Sequence, residues 1–134
     1  MWVSIGKTTK DFATFKRDLL AEYGGKCQCR FQAKSLALKC KLEAIELDHC
    51  LIRKNKTFRE WINGLVWNWQ PACHVCNFTH ATDTQFNREF WFEHVIEKYG
   101  YDRIRKDMDT APEKMQLHNS DWLEVDRWLE RMLQ

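Results

Sequence analysis

The sequence predicts an α+β domain, mostly helical, with one small two-stranded antiparallel sheet near its middle. Three observations carry that expectation. Apolar residues recur at helical period near both ends, they alternate over short runs in the centre, and two close cysteine pairs flank those central runs. The 134 residues suit a single domain over 1–134, with a core at 15–85 and a helical extension at 86–134. Seven Trp, eight Phe and three Tyr can build a modest core. A domain of this size still gains from a metal staple.

Residues 11–23 predict the first helix. Phe12, Phe15, Leu19 and Leu20 fall on one face, Thr8 or Thr9 offers a cap, and Gly24-Gly25 ends it. The chain then enters Cys27-Gln28-Cys29. Residues 35–47 hold alternating apolar positions and predict one or two short strands, the better one over 45–52. His49 is expected on the face opposite Asp48 and Cys50, because strand side chains alternate. Residues 53–64 form a polar connection with a helical turn near 58–62. Residues 65–69 predict the second strand, ended by Pro71, and Cys73 to Cys76 predict a tight turn leading into a helix.

Residues 86–99 predict a strong helix with a stripe of Phe86, Phe90, Trp91, Val95, Ile96 and Tyr99, stopped by Gly100. Residues 101–119 read as irregular. Residues 120–133 predict a last helix, with Asp121 and Glu124 as a capping box and Trp122, Val125, Leu129 and Met132 as its buried face. Such aromatic stripes are core signals rather than ligand sites.

With 21 basic and 19 acidic residues the net charge is +2, which gives no argument for binding nucleic acid by bulk charge. Any basic surface must be local, and Arg53, Lys54 and Lys56 with Arg59 are the candidates. Residues 1–10 contain no apolar secretory core and no run approaches a membrane span, so the expectation is a cytoplasmic chain without a membrane partner. In that compartment six cysteines point to metal ligation or free thiols rather than disulfides.

Cys73-x-x-Cys76 has the spacing that lets two thiolates grip one tetrahedral zinc ion. Cys27 and Cys29 are the chosen second pair, although their one-residue gap is tighter than usual, and Cys40 is the reserve. Cys50 reads as a buried small hydrophobe. Asp48 and Asn77 offer oxygens that suit a hard ion such as Mg²⁺ or Mn²⁺, and a neutral His49 can take a proton from water near neutral pH. Phosphodiester hydrolysis needs both functions.

The order Cys27-Gln28-Cys29, Glu46-Leu47-Asp48-His49, Asn68-Trp69-Gln70-Pro71-Ala72-Cys73 and Cys76-Asn77-Phe78-Thr79-His80 resembles the HNH, or ββα-metal, endonuclease family. The resemblance covers residues 15–85. The Asn after the second cysteine pair is similar to endonuclease VII, a resolvase of branched DNA, and residues 86–105 are loosely similar to phage Rap/NinG-type recombination nucleases. The resemblance implies a ββα-metal fold stapled by a four-cysteine zinc knuckle. It implies His49 as general base, Asp48 as ligand of the catalytic ion, and Asn68 as the central Asn that orients the base. Asn77 or His80 would complete the ion site, and Cys27, Cys29, Cys73 and Cys76 would hold structural Zn²⁺. DNA, duplex or branched, is the implied partner, with a homodimer favoured by a branched substrate and the host cytoplasm as location for a phage protein. The competing expectation is a non-catalytic zinc-knuckle module that binds nucleic acid, which has no need of Asp48, His49 or Asn77.

Overall fold

In a computed structural model, helix α1 (Phe12–Glu22) forms where its apolar spacing predicts, with Phe15 and Leu19 buried. Its cap differs from expectation. Asp11, not Thr8 or Thr9, accepts a hydrogen bond from the Ala13 N–H through its side chain. Thr8 and Thr9 instead lie in an additional hairpin of β1 (Trp2–Ile5) and β2 (Thr8–Asp11), outside the predicted elements. The two residues between these strands are Gly6 and Lys7, a Gly-x pair that is itself a hairpin signal. The structure describes the backbone of residues 2–5, 8–28, 40–82 and 88–134, and the side chains of 11–28, 40–78 and 88–134.

The fold is α+β and predominantly helical, with two small antiparallel sheets rather than one. The central sheet pairs β3 (Glu46–His49) with β4 (Trp69–Ala72), with Asp48 opposite Gln70 and His49 opposite Trp69. The second strand thus begins where the sequence predicts its end. Residues Val66–Asn68 form a 3-10 turn after the short helix α2 (Arg59–Asn63). Pro71 does not end β4 but sits inside it, opposite Leu47. Its carbonyl faces away from β3 and accepts from the Gln28 N–H at 2.9 Å. N–H and C=O of one strand residue point to the same side, so the missing N–H of Pro71 costs the β3–β4 ladder nothing. Helix α3 (His74–Thr82) follows, with Cys73 just before it and Cys76 in its first turn.

Helix α4 (Arg88–Tyr99) buries Trp91, Phe92 and Val95. Phe90, placed in the buried stripe by sequence, is exposed, and Phe86 lies outside the described residues. Gly100, at φ 89°, turns the chain into α5 (Tyr101–Asp109), and α6 (Glu113–His118) follows. Both helices occupy the stretch that reads as irregular. Their buried residues Ile104, Met108 and Met115 are sparse among charges, with Ala111 buried in the turn between the helices. Charge pairs supply what apolar periodicity does not: Arg103–Asp107 at 2.9 Å and Arg105–Asp109 at 2.8 Å are both i,i+4. Helix α7 (Ser120–Arg131) is capped by Asn119, whose side chain accepts from the Trp122 N–H. The expected capping role of Asp121 is absent because its carboxylate is bound elsewhere. Trp122, Val125 and Leu129 are buried as expected, whereas Met132 is exposed.

One apolar cluster runs from Phe15 and Leu19 through Leu47, Leu51, Ile52, Ile62 and Trp67 to residues of α4, α5, α6 and α7. A much smaller cluster gathers Cys27, Ala44, Ala72, Cys73 and Cys76. Among the described residues no helix is long and apolar enough to cross a membrane.

If the extension shares one core with the β3–β4 region, Ile104→Ala costs about 2–5 kcal/mol. Urea unfolding should then remain a single transition at a lower midpoint. A loss below about 1 kcal/mol, or a separate early transition, contradicts a shared core.

Candidate functional site

Four thiols meet at one point. The Sγ atoms of Cys27, Cys40, Cys73 and Cys76 all lie within 4.8 Å of one another. Tetrahedral zinc with Zn–S bonds of about 2.3 Å requires sulfurs roughly 3.8 Å apart, so this set can hold the ion after small adjustments. Backbone N–H groups already point at the sulfurs. Lys41 N–H donates to Cys73 Sγ at 3.5 Å, Cys76 N–H to Cys73 Sγ at 3.4 Å, and Leu42 N–H to Cys40 Sγ at 3.3 Å. The turn at Cys40 is tight enough to put Leu42 at φ 68°, a left-handed conformation rare for a branched apolar residue. Burial first, and then the neighbouring thiols, push the Cys76 thiol far above its ordinary value, and burial raises Cys40 as well. Neutral thiols are stable in such a pocket only as hydrogen-bonding dipoles, whereas a central divalent cation makes the thiolates the favoured form.

The fourth member is therefore Cys40, the reserve candidate, and Cys29 lies outside the described residues. Cys50 is fully buried in the main core, and its thiol is driven well up by that burial.

Beside the thiol cluster, β3, β4, α3 and the start of α1 enclose an open cavity of about 560 Å³. Asp48, His49 and Asn77 all line it, together with Arg53 and Lys54. Asp48 is buried, and its Oδ2 accepts from Gln70 Nε2 at 2.9 Å, the residue opposite it across the sheet. His49 rests on the Trp69 ring, with centroids 4.1 Å apart. Its Nε2 lies 2.7 Å from Asn63 Oδ1. The contact ties the imidazole to the Asn63 amide, and which of the two donates follows the tautomer of the ring. Asn77 donates from Nδ2 to Glu46 Oε2 at 2.8 Å, and His74 Nδ1 lies 2.7 Å from Glu46 Oε1. The Asn77 hydrogen bond leads the effects that hold the Glu46 carboxyl below its ordinary value.

Asn68 is fully buried. Its Oδ1 accepts from the N–H groups of Leu51 and Ile52 at 2.9 and 2.8 Å, and its Nδ2 donates to Ile52 O at 2.7 Å. It fixes the backbone of the chain just after His49.

The same loop is gripped from the other side by the helical extension. Asp121 Oδ2 accepts from Arg53 N–H and Nε at 2.9 and 3.0 Å, and Oδ1 accepts from Arg53 Nη2 at 3.1 Å. Arg88 adds an ion pair to Asp121 at 3.3 Å, donates to Leu51 O and pairs with Glu124. Arg53, predicted as a phosphate contact, is therefore a structural ion pair with a partly exposed guanidinium beside the cavity. Lys54 lines the cavity, while Lys56 and Arg59 are exposed outside it. The His80 side chain lies outside the described set. His94 is bound to Tyr23 Oη at 2.7 Å, away from the cavity lining.

Sequence reasoning misses Glu46, Asn63, Gln70, Lys16, Arg88 and Asp121 as parts of this region. Gln70 and Glu46 carry a findable signal, since each sits at a strand position facing the same way as Asp48 or opposite it. Asn63 and Asp121 become neighbours only through tertiary packing, which no local spacing encodes.

Desolvation alone would raise the Asp121 carboxyl, but hydrogen bonds from Arg53 and the charges of Arg88 and Arg53 outweigh it and hold it below its ordinary value. A depressed folded value contributes stability that is complete above the unfolded value and fades as pH falls through the folded one. Asp121→Asn should therefore cost about 2–3 kcal/mol at neutral pH. The gap from wild type should narrow below about pH 4 in urea unfolding. A gap that is constant down to about pH 3 contradicts the linkage. Comparison with protein-family models finds no match. Searches of curated proteins and of solved structures likewise return no match.

Proposed function

We propose that this chain is a metal-dependent endonuclease of the ββα-metal, or HNH, type that hydrolyses phosphodiester bonds in DNA. The observation that carries the reading is the convergence of Asp48 and His49 from β3 with Asn77 from α3 on one cavity, beside a four-thiol cluster that anchors α3. The strand–strand–helix order β3, β4, α3 and the cavity's mixture of oxygen donors, imidazole and cations support it.

Asp48 and Asn77 would hold a Mg²⁺ or Mn²⁺ ion, which supplies Lewis-acid stabilisation of the charge that develops on the phosphate. His49 takes the proton of the attacking water, while Asn63 and the Trp69 ring keep the imidazole in place. Gln70 holds the Asp48 carboxylate in one orientation. Lys54 and Lys16 line the cavity and offer positive charge to the phosphates on either side. Zinc in the thiol cluster is structural: four protein donors close the shell and leave no position for substrate. The near-balanced net charge fits a protein that uses a local basic rim rather than a global field.

The test is nicking of supercoiled plasmid, and of linear and branched duplexes, with Mg²⁺ or Mn²⁺. His49→Ala should lower the rate by about 10²–10⁴-fold with DNA binding and circular dichroism unchanged. Cleavage by that variant at the wild-type rate, or wild-type cleavage that survives chelation of the divalent ion, overturns the proposal. Salt-sensitive DNA binding without any cleavage would assign the chain to the non-catalytic zinc-knuckle class instead.

A further inference from the structure

Asn77 presents a problem that Asp48 does not. A carboxylate offers an oxygen whichever way it turns, but a side-chain amide offers an oxygen on one side and an N–H₂ on the other. An Asn that is to serve as a ligand must be held with its oxygen toward the cation, because the flipped amide repels it. Glu46 meets this requirement. It shares the Asp48 face of β3, two residues away, and lines the same cavity. Its Oε2 lies 2.8 Å from Asn77 Nδ2, and its Oε1 lies 2.7 Å from His74 Nδ1, so both oxygens are engaged. An ionised carboxylate accepts and cannot donate, so only the N–H₂ side of Asn77 can face it. The choice between the two amide orientations is thereby made by chemistry.

We propose that Glu46 is a positioning residue for the ion site: braced by His74, it accepts from Asn77 Nδ2 and locks the amide with Oδ1 turned toward the cavity shared with Asp48. This inference rests on the ion site proposed above. It assigns Glu46 no contact with the ion. His74 comes from the same first turn of α3 as Cys76, so the brace is tied to the thiol cluster.

The test is Mn²⁺ binding to the zinc-loaded protein without DNA, followed by electron paramagnetic resonance of free Mn²⁺. Asp48→Ala identifies the site. Glu46→Gln can donate as well as accept, and should weaken Mn²⁺ binding about ten- to a hundredfold, with zinc content and circular dichroism unchanged. In an Asn77→Asp background no amide needs orienting, and the same substitution should change binding less than about twofold. Glu46→Ala run through the same cycle gives the same pattern and serves if the Gln variant folds poorly. Unaltered Mn²⁺ binding by Glu46→Gln overturns the proposal, and so does an equal loss in both backgrounds, which would make Glu46 a bare charge or a direct ligand. If Asp48→Ala leaves Mn²⁺ binding intact, the ion site itself is misplaced and the role of Glu46 falls with it. A site lost in Asp48→Ala but indifferent to Glu46 retires this inference alone.

Discussion

Helix α3 is attached to the rest of the protein chiefly through sulfur. Of its described side chains only Cys76 is fully buried, while His74 and Phe78 are exposed. The described side chains of α3 bury too little apolar surface to dock it by the hydrophobic effect alone. What fixes it is the meeting of Cys73 and Cys76 with Cys27 and Cys40, three chain segments drawn to one point. Among the described residues, Ala44 and Ala72 are the further buried apolar residues around them, a cluster too small to be a core by itself. The thiol cluster therefore sets where α3 starts relative to β3 and β4. Through α3 it sets the position of Asn77 and of the polar brace between His74 and Glu46.

The loop after His49 is constrained by a different kind of force. Asn68 satisfies its backbone from within the central sheet region, and Asp121 with Arg88 satisfies it from the helical extension. Buried polar groups are costly unless paired, so these contacts define one loop conformation rather than merely adding stability. The extension, α4 to α7, thus shares in shaping the cavity without lining it. It also contributes large buried side chains, Ile104, Met108, Met115 and Leu129, which join Leu51, Ile52, Ile62 and Trp67 of the first half in one core. The two kinds of contact divide the work. Apolar packing shared by both halves supplies stability, and the thiol cluster and hydrogen-bond geometry in the first half supply position.

Much of this is legible in the sequence because it is local. The apolar spacing of Phe15 and Leu19, the Cys73-x-x-Cys76 knuckle and the Asp48-His49 pair on a strand are all short-range patterns, and Gly100 marks a helix boundary by its need for positive φ. The failures have physical causes. Helix α5 is stabilised by charge pairs and two buried anchors, and α6 buries only Met115, so their apolar period is faint. The strand at Trp69–Ala72 is displaced from its predicted place because Pro71 reads as a terminator, whereas its imide nitrogen faces an edge that needs no donor. The fourth thiol is the least accessible to sequence reasoning. Cys40 is distant from Cys27 along the chain, and a tight turn through Leu42 lies beside it where the thiols meet. In the candidate site, His49, Asp48 and Asn77 are legible as types at spacings, but their partners Asn63, Gln70 and Glu46 are not, since hydrogen-bond partners across a sheet or helix depend on register.

The central claim is that four cysteine sulfurs, that of Cys40 among them, form a closed structural zinc site on which the position of α3 depends. X-ray absorption at the zinc edge of the purified protein tests it most directly. The account predicts one zinc per chain, with a shell of four sulfurs at about 2.3 Å that loses one sulfur in Cys40→Ser. A shell that is unchanged in that variant, a shell completed by nitrogen or oxygen in the wild type, or a folded protein that takes up no zinc would contradict it.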